Sequence, residues 1–328
     1  MTINWGIIGC GDVTEVKSGP AFNKVPGSSL VAVMRRNAAK AKDYAERHGV
    51  PKWYDDAYQL IADPDVNAIY VATPPMYHEE YTVAALRAGK PVYVEKPMST
   101  KLEDCIRMRD VANATGVKLT VAHYRRAVPM FVKIKELIDQ QVVGDIRLVR
   151  IGMMQPASQN LQPTTYNLEP NWRIDPDIGG KGGIFYDLAP HQLDLMVHWF
   201  GEVEEIYGTS ANQAGLYPSR DIVSGLVKFR NGIIFSGDWC FTVHEDLKED
   251  ICGIIGSKGK ISFPVFGNKV AVNSEGEQYQ ITFDHPQHIQ QPMIEKVVEY
   301  FSGKGPNPCS ADEAIRSMML MEQFVTPR

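Results

Sequence analysis

The chain has 328 residues, 44% of them hydrophobic and 22% charged, and a formal net charge of −5. That length suggests two soluble globular domains, each with its own core, and the acidic balance argues against nucleic acid held by phosphate neutralisation. No apolar run approaches the roughly 20 residues that cross a bilayer, the opening MTINWGIIGCG has no basic leader, and five scattered cysteines lack a C-x-x-C pair, so the expectation is a cytoplasmic protein without membrane, disulfide or metal site.

Over the first ~120 residues apolar runs alternate with helical patterns, the signature of βαβ units and a parallel sheet. INWGIIG and SLVAVMRR read as strands, AAKAKDYAERHG as a helix stopped by Gly49, and DDAYQLIADPD as a further helix. NAIYVAT reads as a strand ending at Pro74-Pro75, YHEEYTVAALRAG as a helix stopped by Gly89, and PVYVEKP as a strand. LEDCIRMRDVANATG and VKLTVAHYRR give the next helix and strand. Beyond about residue 125 one helix, VPMFVKIKELIDQQVVG, precedes runs separated by turn residues: IRLVRIGMM, VEEIYGTSA, DIVSGLVKF, IIFSGDWCF, EDICGIIG and GKISFPV. These read as a mostly antiparallel sheet. FYDLAPHQLDLMVHWFG is read as one long helix, and two helices follow near the end. The predicted architecture is an α/β domain of Rossmann type over 1–123 and an α+β domain over 124–328 with a large, mostly antiparallel open sheet.

The stretch GIIGCGDVTEV carries the first chemical signal. Gly9 and Gly11 fill the first two positions of G-x-G-x-x-G directly after a strand, with Thr14 at the third. Gly9 permits the tight turn, Gly11 lets a pyrophosphate approach the backbone, and Cys10, Val13 and Thr14 share the loop. Asp12 reads as a helix cap, because its charge would repel a phosphate. Where an NAD enzyme offers an acid after the second strand, this chain has Arg35 and Arg36, with Lys40 a turn later. A guanidinium fork suits a 2′-phosphate, so NADP(H) is expected in preference to NAD(H).

In an open parallel sheet ligands sit beyond the carboxyl ends of the strands. Those positions are Gly9, Arg35, Thr73-Pro74-Pro75, Glu95-Lys96-Pro97 and Tyr124-Arg125-Arg126. Lys96 is either a lysine held at a ligand site or an ion-pair partner of Glu95 at a strand end. In GGKGGIFYDLAPHQLD, Asp187 and His191 are spaced i, i+4, after Gly179, Gly180, Gly182 and Gly183, which permit close approach. Histidine titrates near neutral pH and moves a proton in either direction. An ammonium stabilises negative charge developing on an oxygen. Lys96, Asp187 and His191 are therefore a candidate catalytic set if the fold brings them together; the bland alternative is a helix histidine satisfied by Asp187. Asp187, His191, Asp194 and His198 make a stripe too long for one metal ion. Tyr124, Arg125 and Tyr166 are candidates for substrate contact, as are Trp172 and Arg173.

The order of these motifs, G-x-G, then A-T-P-P with His78 downstream, E-K-P, and G-G-x-x-x-D-x-x-x-H, resembles the Gfo/Idh/MocA family (glucose–fructose oxidoreductase, inositol dehydrogenase and relatives) over nearly the whole chain. The resemblance implies a catalytic Lys96, His191 as proton donor or acceptor, and Asp187 orienting the substrate or the histidine. It implies cofactor contacts around Thr73, Pro74, Pro75, His78, Glu95 and the Trp172-Arg173 pair, and a homo-oligomer, dimer or tetramer, built through the second sheet. The chain is accordingly expected to transfer hydride between NADP(H) and a hydroxyl or ketone carbon of a sugar, polyol or related small molecule. The alternatives are an NAD-linked, inositol-type dehydrogenase and a non-catalytic NADP(H)-binding regulator.

Overall fold

The structure, a computed structural model, describes residues 2–158 and 171–326. It divides into two compact units, Met1–Arg125 with Pro286–Ile315, and Arg126–His285 with Arg316–Arg328. The segment 286–315, which the sequence reading gives to the second domain, thus packs with the first unit. Phe301 lies 5.5 Å from the Trp5 ring, Lys118 Nζ donates to Tyr300 O at 2.6 Å, and Thr120 Oγ1 donates to Cys309 O at 3.0 Å.

The first unit holds β1 (Ile3–Ile8), β2 (Ser28–Met34), β3 (Lys52–Tyr54), β4 (Ala68–Val71), β5 (Val92–Val94) and β6 (Leu119–Val121). Their order is β3-β2-β1-β4-β5-β6 and every pair is parallel. The central strands are buried along almost their whole length, as a parallel sheet covered on both faces requires. The chain order reverses between β1 and β4, the switch point of a doubly wound sheet. The strand ends align. Ile8 pairs with Met34 and Val71, Met34 with Tyr54, Val71 with Val94, and Val94 with Val121. The residues that follow each strand therefore stand along one rim.

Two local expectations fail here. Strand β3 has only three residues at the sheet edge, too short to leave a periodic signal. Asp12 is not the cap of the helix Asp12–Val16. Gly11 occupies that position and makes no side-chain cap, while Asp12 is the first helical residue.

The second unit is built on β7 (Ile146–Pro156), β8 (Val203–Ala211), β9 (Ile222–Phe229), β10 (Ile234–Val243), β11 (Glu249–Gly256), β12 (Gly259–Phe263), β13 (Lys269–Ser274) and β14 (Glu277–Thr282). The order is β14-β13-β12-β11-β7-β10-β9-β8, antiparallel except for the parallel pair β7 and β10. Strands β13 and β14 are absent from the sequence reading: β14 is a polar, exposed edge strand that offers no apolar alternation, whereas β13, KVAVNS, does alternate and is missed. Elsewhere burial alternates along the strands, and Phe229, Phe235, Trp239, Phe241 and Phe263 fill the covered face. Phe324 lies flat against Gly208 and Gly225, which pair across β8 and β9. A Cβ at Gly208 would meet Phe324 Cα at 2.5 Å. Among the described residues no helix is long and apolar enough to cross a membrane.

The stretch read as one helix is two segments, Ile184–Leu188 and Pro190–Phe200. Pro190 has no N–H to donate into a continuing helix, so it takes the first turn of the second segment, where none is needed. Ala189 between them stays in the right-handed helical region, so the two segments follow on closely.

Candidate active site

The glycine turn is built by β1 and constrained by the neighbouring strand. Gly9 has φ +96°, and a Cβ there would meet Thr73 N at 2.7 Å. Only glycine fits such a position. At Gly11 a Cβ would meet nothing nearer than Gly9 O at 3.9 Å, so the second glycine borders open space. The amides of Gly9 and Cys10 both donate to Met34 O, at 2.9 and 3.1 Å. Thr14, in place of a third glycine, points inward. It is fully buried, its Oγ1 donates to Gly11 O at 2.8 Å, and its carbonyl accepts from Tyr44 Oη at 2.8 Å. Val13 is half-buried in the same short helix.

Cys10 is 1% exposed, and burial pushes its thiol up to about 12. At about pH 8 it is therefore protonated and unreactive, since the thiolate is the nucleophile. Cys105, Cys252 and Cys309 are buried as well, and Cys240 alone is half-exposed. Iodoacetamide applied to the native protein is expected to modify Cys240 and spare the other four until the chain unfolds, as peptide mapping would show. Early labelling of Cys10 would contradict the burial of the turn.

Beyond β2, Arg35 Nη1 donates to Cys10 O at 3.3 Å, which brings a guanidinium to the glycine turn. Arg36 lies over the Tyr77 ring at 4.8 Å and reaches Tyr77 Oη at 3.4 Å. Tyr77 has no counterpart among the sequence-derived site residues. Lys40 stands in the first turn of the helix Ala38–His48, whose cap Asn37 accepts from the Lys40 amide. Beyond β4, Thr73 and Pro74 are half-buried and Pro75 is buried. Thr73 Oγ1 is buried without a hydrogen-bond partner.

Beyond β5, Glu95 and Lys96 part company. Glu95 is 5% exposed and faces inward. Its Oε1 accepts from Tyr70 Oη at 2.5 Å and Gln290 Nε2 at 2.7 Å, and its Oε2 accepts from the Lys96 amide at 3.0 Å. Lys96 remains half-buried, and its bond to Pro97 is cis. His78 is also inward, 1% exposed, with Nδ1 3.0 Å from Pro97 O and Nε2 2.7 Å from Thr73 O. Burial is the larger influence and holds its pKa below the ordinary histidine value, against the upward pull of those carbonyls and of Glu95. Beyond β6, Tyr124 and Arg125 are both buried, the guanidinium 5.5 Å from the Tyr124 ring centre.

In the second unit, Arg173 Nε donates to Asp187 Oδ2 at 2.7 Å, and its guanidinium lies 4.6 Å from the Trp172 ring centre. Glycines before Asp187 let neighbouring groups approach closely. A Cβ at Gly179 would meet Trp172 O at 2.8 Å, and Gly183, with φ +56°, would meet Ser219 Oγ at 2.1 Å. His191 is buried in the first turn of Pro190–Phe200, with its ring 5.6 Å from Phe266, edge-on. Asp194 is bound to Arg126 through Nε and Nη2, both at 2.8 Å. No group of three His, Cys, Asp or Glu that could hold a metal ion stands together among the described residues. Tyr166 lies outside the described residues.

A doubly wound parallel sheet with an open glycine turn at the end of its first strand is the arrangement of a dinucleotide-binding domain. The sequence comparisons are specific about which. The model described as the oxidoreductase family with an NAD-binding Rossmann fold matches residues 3–123, and that of the GFO/IDH/MocA C-terminal domain matches residues 131–262. Oxidoreductase P35 of Formosa agariphila is 47% identical over 322 residues, 98% of either chain. A 1,5-anhydro-D-fructose reductase of Ensifer adhaerens is 27% identical over 96% of this chain and 92% of its own. Among solved structures, the 3-ketoreductase KijD10 of Actinomadura kijaniata, in complex with NADP and TDP-benzene, superposes with a TM-score of 0.84 at 22% identity over 99% of this chain and 97% of its own, a likeness of fold. The chain belongs to the Gfo/Idh/MocA family of NAD(P)-dependent oxidoreductases.

Proposed function

We propose that this chain uses NADP(H) to move hydride to or from a hydroxyl or ketone carbon of a sugar, polyol or related small molecule. The observation that carries the coenzyme choice is Arg35 at the glycine turn, with Arg36 beside it, where an acid would otherwise hold the ribose. The rim suits the coenzyme in two further respects. Gly11 borders open space, and Thr73 Oγ1 is a buried hydroxyl in want of a partner. Because Gly9 and Cys10 spend their amides on Met34 O, phosphate contacts fall to the amides from Gly11 onward. Pro74 and Pro75 shape the turn that follows Thr73. When bound, the nicotinamide supplies or accepts the hydride.

The protein's part is charge and proton handling. The Lys96 ammonium stabilises negative charge on the reacting oxygen. His191 donates or accepts the hydroxyl proton. Asp187, fixed by Arg173, orients the polar groups around it. Trp172, Arg173, Tyr124, Arg125 and Tyr166 are the candidates for contact with substrate or coenzyme. The sugar-like substrate class takes its support from the relative that reduces 1,5-anhydro-D-fructose. Tyr207, Leu226 and Ile251 lie exposed on one face of the eight-stranded sheet, which supports a homo-oligomer, dimer or tetramer.

Calorimetric titration with NADPH and NADH tests the coenzyme assignment. The wild type is expected to bind NADPH more tightly. Replacing Arg35→Asp should weaken NADPH by roughly ten- to a hundredfold, the worth of one charge-assisted bond of about 1.5–3 kcal/mol, and leave NADH little changed. Equal weakening of both coenzymes, or a wild type that prefers NADH, would refute it.

A further inference from the structure

The main chain at Lys96 is fastened on both sides by groups that do not themselves reach the rim. On one side the Glu95 carboxylate accepts the Lys96 amide at 3.0 Å. That carboxylate is in turn held by Tyr70 Oη and Gln290 Nε2, both from wholly buried residues. On the other side the His78 ring is wedged between Pro97 O and Thr73 O, in the turns after β5 and β4, and as a neutral imidazole donates its one N–H to one of them. A buried carboxylate held by three neutral donors is an expensive way to brace a strand end, since it gives up the hydration of a full charge. The two braces converge on the one dipeptide that carries the rim lysine. A glutamine in place of Glu95 would turn its amide N–H toward one of these donors, so only a carboxylate accepts all three.

We propose that Glu95 and His78 are positioning residues for Lys96: together they fix the Lys96-Pro97 backbone and thereby where the amine stands on the rim. The inference rests on the reading of Lys96 as the amine that acts at the reacting oxygen. It reassigns both residues from coenzyme contact, the role their motifs implied, to support from behind.

The test reads the lysine directly and needs no substrate. Reductive methylation with carbon-13 formaldehyde gives each lysine a resolved NMR signal, and the Lys96 signal is the one lost in Lys96→Arg. In the wild type it should stand apart from the exposed lysines. In Glu95→Gln and in His78→Gln it should move to the position of the exposed lysines, while the other lysine signals and the NADPH affinity stay put. Tyr70→Phe, which removes one donor to Glu95 and keeps the ring, should shift it part of the way and serves if either substitution prevents folding. An unmoved Lys96 signal in the folded variants overturns the proposal. Turnover of 1,5-anhydro-D-fructose with NADPH separates this from the parent reading. Each positioning variant should lose about tenfold to a hundredfold in kcat in the wild-type background, and nothing further when added to Lys96→Ala. The same loss in both backgrounds marks a merely structural role, whereas a fully active Lys96→Ala refutes the parent reading and leaves the NMR result to judge the braces.

Discussion

Replacing Lys96→Ala is expected to lower kcat about a thousandfold while NADPH binding changes less than about threefold. The residue follows a buried strand directly, and its main chain is held by Glu95 and by the turn at Pro97. It therefore presents its amine from the loop after β5 at a point where the main chain is braced, which limits how far that loop can relax around the deletion. The negative charge that the ammonium meets develops on the reacting oxygen only as hydride moves, so loss of the amine should fall on the chemical step more than on binding. His191→Asn should lower kcat about a hundredfold, by removing a group that can exchange a proton with the substrate hydroxyl. Lys96→Met serves as a control that retains the aliphatic stem. Steady-state kinetics with NADPH, read as kcat and KM separately, checks all three. Full turnover by either Lys96 variant would remove the amine from the mechanism.

Replacing Asp194→Ala is expected to destabilise the second unit by about 3–5 kcal/mol, on the order of 10 °C in its thermal midpoint. The carboxylate lies in the helix Pro190–Phe200 and accepts two bonds at 2.8 Å from Arg126, and both side chains are almost wholly buried. Removing it leaves a guanidinium in the interior short of its paired charge, the costly half of breaking a buried pair. Joint replacement, Arg126→Met with Asp194→Leu, removes both charges and should recover most of the loss. Calorimetry on the single and double variants checks this. Equal destabilisation by both would show that packing, and not uncompensated charge, is what the pair contributes. The same helix carries His191, so the Asp194→Ala enzyme should also lose activity as it approaches its lowered midpoint.

What could be read in the sequence follows the range of each physical signal. The parallel strands β1, β2, β4, β5 and β6 were legible because they are short, mostly apolar and punctuated by glycine-stopped helices. The rim followed from them, since parallel strands put their carboxyl ends together. Strand β14 was not legible, because an exposed edge strand is patterned by solvent and not by a core. The return of 286–315 to the first unit was invisible for a related reason. Gln290 meets Glu95 from 195 positions away, and nothing local in HIQQP announces a partner. Motif reasoning singled out E-K-P and His78 but could not tell which side of the turn each side chain takes. Glu95 and His78 face inward, and Lys96 alone of the three is left half-buried on the rim. Arg126 shows the opposite error: a rim position in the sequence, spent on Asp194 in the fold.

The account turns on hydride passing between a phosphorylated nicotinamide and a carbonyl carbon. NADPH carrying deuterium at the transferring position of its ring, incubated with the wild type and a panel of keto sugars including 1,5-anhydro-D-fructose, tests that step directly. Mass spectrometry should find deuterium on the new carbinol carbon of at least one product, more from NADPH than from labelled NADH, and little with Lys96→Ala. Product without the label, transfer that favours NADH, or no transfer to any member of the panel would contradict it.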